Sequence, residues 1–109
     1  VKEYVNSHLD SETLSLKWLA ENQFFISVGY LSKQFQLEEG VHFSYYLNYQ
    51  RIELAKKMMS IYHNNNIQDI AQQVGFRNNP RYFSQVFKKF TGMTPSEYLN
   101  SLGGKAMSD

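Results

Sequence analysis

Residues Leu16–Asn48 read LKWLAENQFFISVGYLSKQFQLEEGVHFSYYLN, and residues Ile67–Asn100 read IQDIAQQVGFRNNPRYFSQVFKKFTGMTPSEYLN. The two stretches are copies of one pattern. Leu16, Leu19, Ala20 and Phe25 fall on Ile67, Ile70, Ala71 and Phe76 at a shift of 51. After one inserted residue the shift becomes 52, and Tyr30, Ser32, Phe35, Gly40, Tyr46, Leu47 and Asn48 fall on Tyr82, Ser84, Phe87, Gly92, Tyr98, Leu99 and Asn100. Two copies are too few for a solenoid, which needs at least about three repeats. The chain therefore reads as two similar small units.

Each unit carries the start and stop signals of helices. Ser15 caps a helix expected at 16–23, and Ser27 caps one at 28–38. In the later unit Asn66 precedes a helix at 67–74, and Asn79-Pro80 supplies a cap with proline at the first helical position. That helix is expected to run to Thr91 and stop at Gly92. Thr94-Pro95-Ser96-Glu97 forms a capping box that opens a helix over 95–102. With a first helix at 2–9 and a long one at 43–62, the reading is an all-α fold of seven helices. Within each unit, a short helix, a tight turn and a second helix form a helix-turn-helix, although the pattern alone fits a plain helical hairpin equally. The expected division is an N-terminal helix-turn-helix subdomain (1–42), a linker helix (43–62), a C-terminal helix-turn-helix subdomain (63–102) and a tail (103–109).

At about 100° per residue, the second helix of each unit has a core side and an outward side. Phe83 and Phe87 define the core side of the later one, with Tyr82 and Phe90 flanking and Val86 at the margin. Arg81, Gln85 and Lys88 then project outward, with Ser84 beside them. In the earlier one Leu31 and Phe35 face the core, leaving Gly29, Lys33 and Gln36 outward and Ser32 beside them. A solvated polar face is the bland account of either helix taken alone. Two equivalent faces on duplicated units point instead to double-stranded DNA, since arginine pairs with guanine and glutamine with adenine in the major groove. The expected base readers are Arg81, Gln85, Lys33, Ser32 and Gly29. Lys88, Lys89, Gln36, Asn78, Asn79 and Ser84 are placed against phosphate or at the flanks.

The long helix carries two adjacent apolar stripes: Leu47, Leu54, Met58 and Ile61, and Tyr45, Ile52, Ala55, Met59 and Tyr62. A span of about 30 Å suits two recognition helices in successive major grooves, which lie about 34 Å apart. Arg51 falls between the stripes on the apolar side. A charge there must be paired or bonded to carbonyls, so it reads as structural.

The chain of 109 residues is 42% hydrophobic, enough for one modest core and too much for disorder. Net charge is only +1, but residues 63–102 hold Arg77, Arg81, Lys88 and Lys89 against Asp69 and Glu97, while 1–26 is acidic. No run of about 18 apolar residues suggests a membrane span. Cysteine is absent, so disulfides and thiolate metal sites are excluded, and a cytoplasmic address fits. A start at Val1 reads as a piece of a longer protein. The three histidines are scattered without ligand spacing, and no nucleophile has a recognisable base, so neither enzyme nor cofactor is expected. The rival to DNA binding is a helical protein-interaction module using the tyrosine-rich stretch Phe43–Tyr49. RNA is remote, since no aromatic platform on a sheet is suggested.

The run LKWLAENQFFIS-VGYLSKQF, then RIELAKKMM, then IQDIAQQVGF-NNPRYFSQVFKKFTGMTPSEYLN resembles the DNA-binding domain of the AraC/XylS family over roughly Val1 to Leu102. VKEYVNSHL followed by LSLKWLAEN is most similar to its YesN-type response-regulator branch. The resemblance implies a bacterial transcription regulator with two recognition helices in neighbouring grooves. It places base contacts at Gly29, Ser32 and Lys33, and at Pro80, Arg81, Tyr82 and Gln85. It also implies a receiver or ligand-binding domain upstream and admits a contact with RNA polymerase; the piece itself is expected to be a monomer. Two departures stand out. Glu38 and Glu39 replace a more basic helix end, and Phe24-Phe25 is an enlarged turn.

Overall fold

Every helix start expected from a capping side chain is made by that side chain. In the computed structural model, which describes residues 2–11, 14–61, 66–76 and 79–107 and side chains as far as Leu102, Ser15 Oγ accepts from Trp18 N at 3.1 Å and Ser27 Oγ from Tyr30 N at 3.2 Å. Asn66 Oδ1 accepts from Asp69 N and Asn79 Oδ1 from Tyr82 N, both at 3.0 Å. The Thr94 box closes in both directions, Thr94 N donating to Glu97 Oε1 at 2.8 Å and Glu97 N to Thr94 Oγ1 at 3.2 Å. Those bonds stabilise the charged carboxylate and hold the Glu97 pKa below its ordinary value. The elements are α1 (Lys2–Ser7), α2 (Leu16–Leu19) widening into a π-helical turn (Ala20–Phe24), α3 (Val28–Glu39), α4 (Phe43–Ser60), α5 (Ile67–Gln73), α6 (Pro80–Thr91) and α7 (Pro95–Met107). Among the described residues there is no strand, and no helix is long and apolar enough to cross a membrane.

The ends of α1 and α7 differ from the sequence reading by more than one residue. α1 stops at Ser7 because side chains occupy its last carbonyls: Ser7 Oγ lies 3.1 Å from both Glu3 O and Tyr4 O, and His8 Nδ1 lies 2.8 Å from Tyr4 O. α7 continues to Met107 rather than ending at 102. Two glycines at roughly 1 kcal/mol each do not end a helix that good helix formers then resume. Tyr62, assigned to the end of α4, lies outside the described residues.

The core has two parts that meet on α4. Val5, Leu19, Leu31, Phe35, Phe43 and Leu47 belong to the first. Ile52, Ala55, Ile70, Phe76, Phe83 and Phe87 belong to the second, and Leu54 packs against both. The amino-terminal half of α4 thus faces one unit and its carboxyl-terminal half the other. Tyr45 and Ile61, read as stripe residues, are instead 46% and 61% exposed, so the apolar face of α4 is narrower than the sequence suggested.

Arg51 sits where the two core parts join and is only 7% exposed. As expected, it points inward and is bonded to carbonyls: Nε donates to Leu9 O at 3.0 Å and an Nη to Ser11 O at 2.9 Å. Its guanidinium carbon stands 5.5 Å from the Phe76 ring centroid, a cation–π contact. Burial lowers its pKa from the ordinary value, opposed by Tyr82 and Asp10. Gly75 passes under this tether at φ 102°; an added Cβ would meet Leu9 O and stand 2.6 Å from Arg51 Nε. Glycine is demanded there twice, by conformation and by space.

The π turn is the main divergence between the copies. Ile26 N reaches back to Ala20 O at 3.0 Å, and Phe76 N to Ala71 O at 2.8 Å. With Ala20 and Ala71 equivalent, Ile26 is therefore the partner of Phe76. The sequence pairing of Phe25 with Phe76 is off by one, because the wider π turn absorbs one extra residue. Phe25 takes the place of Gly75: it is left-handed (φ 55°), the sole non-glycine among the described residues with positive φ, and 80% exposed.

Two stability outcomes follow. Gly75→Ala is expected to cost about 3 kcal/mol or more, read from denaturant midpoints, and to cost less in an Arg51→Ala background, where one clash is gone. A loss below about 1 kcal/mol would show that the close passage is not a constraint. Phe25→Asn is expected to stabilise by about 0.5–1 kcal/mol, because asparagine tolerates the left-handed region and little apolar contact is lost; a lowered melting temperature would mean that the ring is anchored.

Candidate nucleic-acid interface

The recognition face of α6 is built by burying the other side of that helix. Asn79 and Pro80 fix its start, and Gly92 (φ 81°) ends it. Phe83, Val86 and Phe87 are buried. Val86, read as marginal, belongs to the core, because it turns toward α4 where Tyr45 and Phe90 meet at 5.1 Å. A run of aromatic contacts, Phe76–Phe83 at 5.3 Å, Phe83–Phe87 at 5.8 Å and Phe87–Tyr98 at 5.4 Å, locks the rotation of α6. With that side fixed, Arg81, Gln85, Lys88 and Lys89 are all exposed and Ser84 is half-buried beside them. Lys88 and Lys89 also sit in the last turn, where positive charge suits the helix dipole. Among the described residues, Arg81, Lys88 and Lys89 make no ion pair.

The residues assigned around the start of α6 differ in how they are placed. Tyr82 is 44% exposed, yet its ring lies 5.7 Å from that of Phe76 and its hydroxyl accepts from Asn48 Nδ2 at 3.4 Å. It braces α6 against α4. Pro80 is exposed at the first helical position. Asn79 is exposed and its side chain is committed to the cap. Asn78 lies outside the described residues.

α3 repeats the construction with different chemistry. Leu31 and Phe35 are buried, and the Phe35 ring meets Phe43 at 5.4 Å and Tyr46 at 5.3 Å. Tyr46, a candidate partner-binding residue by sequence, is thus engaged in packing, and its hydroxyl lies 3.3 Å from Asn6 Oδ1. Gly29, Lys33 and Gln36 are exposed and Ser32 is half-buried. The last turn carries exposed Glu38, and Glu39, which pairs with Lys2 at 3.4 Å. The equivalents of Arg81, Gln85, Lys88 and Lys89 are Gly29, Lys33, Gln36 and Leu37, a change from three cations to one.

The start of α4 places both faces on one side of the molecule. Ser44 lines a groove of about 390 Å³ with Ser32 and His42, and a second of about 380 Å³ with Tyr82, Gln85 and Lys89. Asn48, one turn after Ser44, lines the second. Ser44 and Asn48 escaped the sequence reading because small polar residues early in a helix look like ordinary capping and surface positions. Their signal was the repeat, which pairs them with Ser96 and Asn100. The arrangement supplies long donors, small gaps and a hydroxyl-lined floor between them. No group of three or more potential metal-ligating side chains occurs among the described residues.

A family model described as a helix-turn-helix domain matches residues 21–101. The chain is 44% identical over 100 residues to the transcriptional regulatory protein YesN of Bacillus subtilis (strain 168), covering 92% of this chain and 27% of that protein. It superposes with a TM-score of 0.85 on the C-terminal domain of AraT, a response regulator from Geobacillus stearothermophilus, at 31% identity over 92% of this chain and 80% of that one. It also superposes with a TM-score of 0.85 on the DNA-binding domain of AdpA, a global transcriptional factor solved with a target DNA. That likeness, at 19% identity over 95% of this chain and 90% of the other, is one of fold.

Proposed function

The chain belongs to the helix-turn-helix family of the AraC/XylS type, and on that premise we propose that it is the DNA-reading output domain of a bacterial transcription regulator. It binds double-stranded DNA sequence-specifically, with α3 and α6 in adjacent major grooves. The observation that carries this is the pair of outward faces on duplicated helices, both opening beside Ser44. α4, with 18 residues, is about 27 Å long, which suits two grooves about 34 Å apart when each recognition helix projects beyond its end.

The roles follow from exposure and position. Arg81 and Gln85, in the first turns of α6, read bases by paired hydrogen bonds, and Lys33 and Ser32 do so from α3, where Gly29 lets the backbone approach. Lys88, Lys89, Gln36 and Ser84 meet phosphate or flank the readers. Pro80 and Asn79 set the helix start, and Tyr82 braces it. The chain spans about a quarter of the length of YesN, and the rest of such a regulator supplies the signal input. We assign a receiver domain to that part, by likeness to response regulators. The domain acts in the cytoplasm, as a monomer on an asymmetric site, without catalysis or cofactor, and contact with RNA polymerase is the expected route to activation.

The reading is tested by anisotropy on a fluorescent duplex pool at low and moderate salt, followed by selection of a preferred site. Steep weakening with salt is the expected result; a folded helical chain with no binding at low salt would point to a protein-interaction module. On the selected site Arg81→Ala should lose about 1–3 kcal/mol and relax one base position, whereas equal losses on all sequences would remove it from base readout. Lys88→Ala should weaken all sequences alike and lower the salt slope by about one; an unchanged slope would remove it from the phosphate contacts.

A further inference from the structure

The first turn of α3 presents Val28 and Gly29 where that of α6 presents Pro80 and Arg81, so the long charged side chain is missing and a valine stands beside the gap. Ser27, at φ −69° and ψ 145°, fixes the helix start, so Val28 is the first helical residue. Val28 is 44% exposed. A β-branched side chain is stiff at χ1 and short, so its two methyl groups stay close to the backbone at the helix start. Ser32, one turn on, lies on the same side and lines the groove shared with His42 and Ser44. Beside Val28 stands Gly29, where an added Cβ would meet nothing within 4 Å. The fold therefore does not demand glycine there, and among the described residues nothing fills the space that a side chain at Gly29 would enter. Ile26, 39% exposed, extends the apolar edge at the same end.

Resting on the DNA-reading function proposed above, we infer that Val28 is a specificity residue that recognises thymine through its C5-methyl group. The methyl is the one apolar feature that a base pair presents in the major groove. Val28 is continuous with the Gly29, Ser32 and Lys33 face. The two half-sites are then read by different chemistry: hydrogen bonds from Arg81 and Gln85 in one, and methyl contact with Val28 beside the hydrogen bonds of Ser32 and Lys33 in the other. The absence of a long side chain at Gly29 is what lets the short valine reach the groove floor.

The test uses the selected duplex, with each thymine replaced singly by uracil, which removes only the methyl group. Binding is read by anisotropy at one salt concentration. At one or two thymines in the half-site under α3, the parent chain should lose about threefold to fivefold, the size of one buried methyl. Val28→Ala should lose nothing further at those positions, while both chains keep the same salt slope. Uracil tolerated at every position, or penalised equally in both chains, overturns the inference and leaves the DNA reading standing if binding still weakens with salt. Absence of salt-dependent binding to any duplex removes both. Thermal unfolding of Val28→Ala, expected within a few degrees of the parent, separates folding from reading. Sedimentation of the free chain covers the other occupant of the patch: a dimer that Val28→Ala dissolves would assign this edge to a second copy and overturn the methyl reading.

Discussion

The Arg51 guanidinium is the constraint on which the relation between the two units depends. α4 enters both cores, so a rotation or slide of that helix moves both recognition helices at once. Apolar packing resists such motion poorly in one respect, because it is non-directional. A guanidinium bonded to Leu9 O and Ser11 O is directional, and its donors match carbonyls at 3.0 and 2.9 Å. The same group lies over Phe76 and excludes any side chain at Gly75. One buried charge thereby ties the α1–α2 connection, α4 and the turn before α6 into a single arrangement. Burying it is unfavourable in itself, and its ordinary pKa is lowered by desolvation. The return is a fixed spacing between α3 and α6, which is the quantity that two-groove recognition needs.

Only one copy of the turn lies beneath that tether, and this explains how the copies were free to diverge. In the second unit the turn is tight, glycine occupies the left-handed position and Phe76 is buried at 5% exposure. In the first unit no arginine among the described residues passes over the turn. There the chain accommodates an extra residue as a π turn, Phe25 occupies the left-handed position and Ile26, the equivalent of Phe76, is 39% exposed. The inserted residue is absorbed before Ser27, so α3 still starts from a serine cap and still ends at a left-handed glycine, Gly40. The strain is confined to the turn and leaves the recognition helix intact.

Much of this was visible in the residues because caps and repeats act locally. Ser15, Ser27, Asn66, Asn79 and Thr94 bond to backbone groups three residues on, so their spacing alone marks a helix start. The inward direction of Arg51 followed from its place between apolar stripes. Its partners did not follow, since Leu9 and Ser11 lie 42 and 40 residues away in the chain. The π turn was hidden for a related reason: identity of letters favoured pairing Phe25 with Phe76, whereas the backbone bonds to Ala20 and Ala71 pair Ile26 with Phe76. The exposed reading faces were legible from 100° spacing, but the burial of Val86 and the place of Ser44 between the two grooves depend on how α4 crosses α6, which no local pattern encodes.

The charge distribution decides what kind of reader this is. A net charge of +1 gives little long-range attraction for a polyanion. Its local cations are concentrated on α6, whereas the end of α3 carries Glu38 and a Glu39 already paired to Lys2. On the proposed function, phosphate neutralisation would fall mainly to the second unit, and with it the salt-dependent part of affinity. A first unit that added only more charge would strengthen binding to every sequence equally. One that adds short-range contacts, held in register by α4 and Arg51, strengthens binding only where the bases fit. On the proposed function, a weakly basic chain would gain discrimination in this way, because α3 would contribute selectivity in place of general attraction.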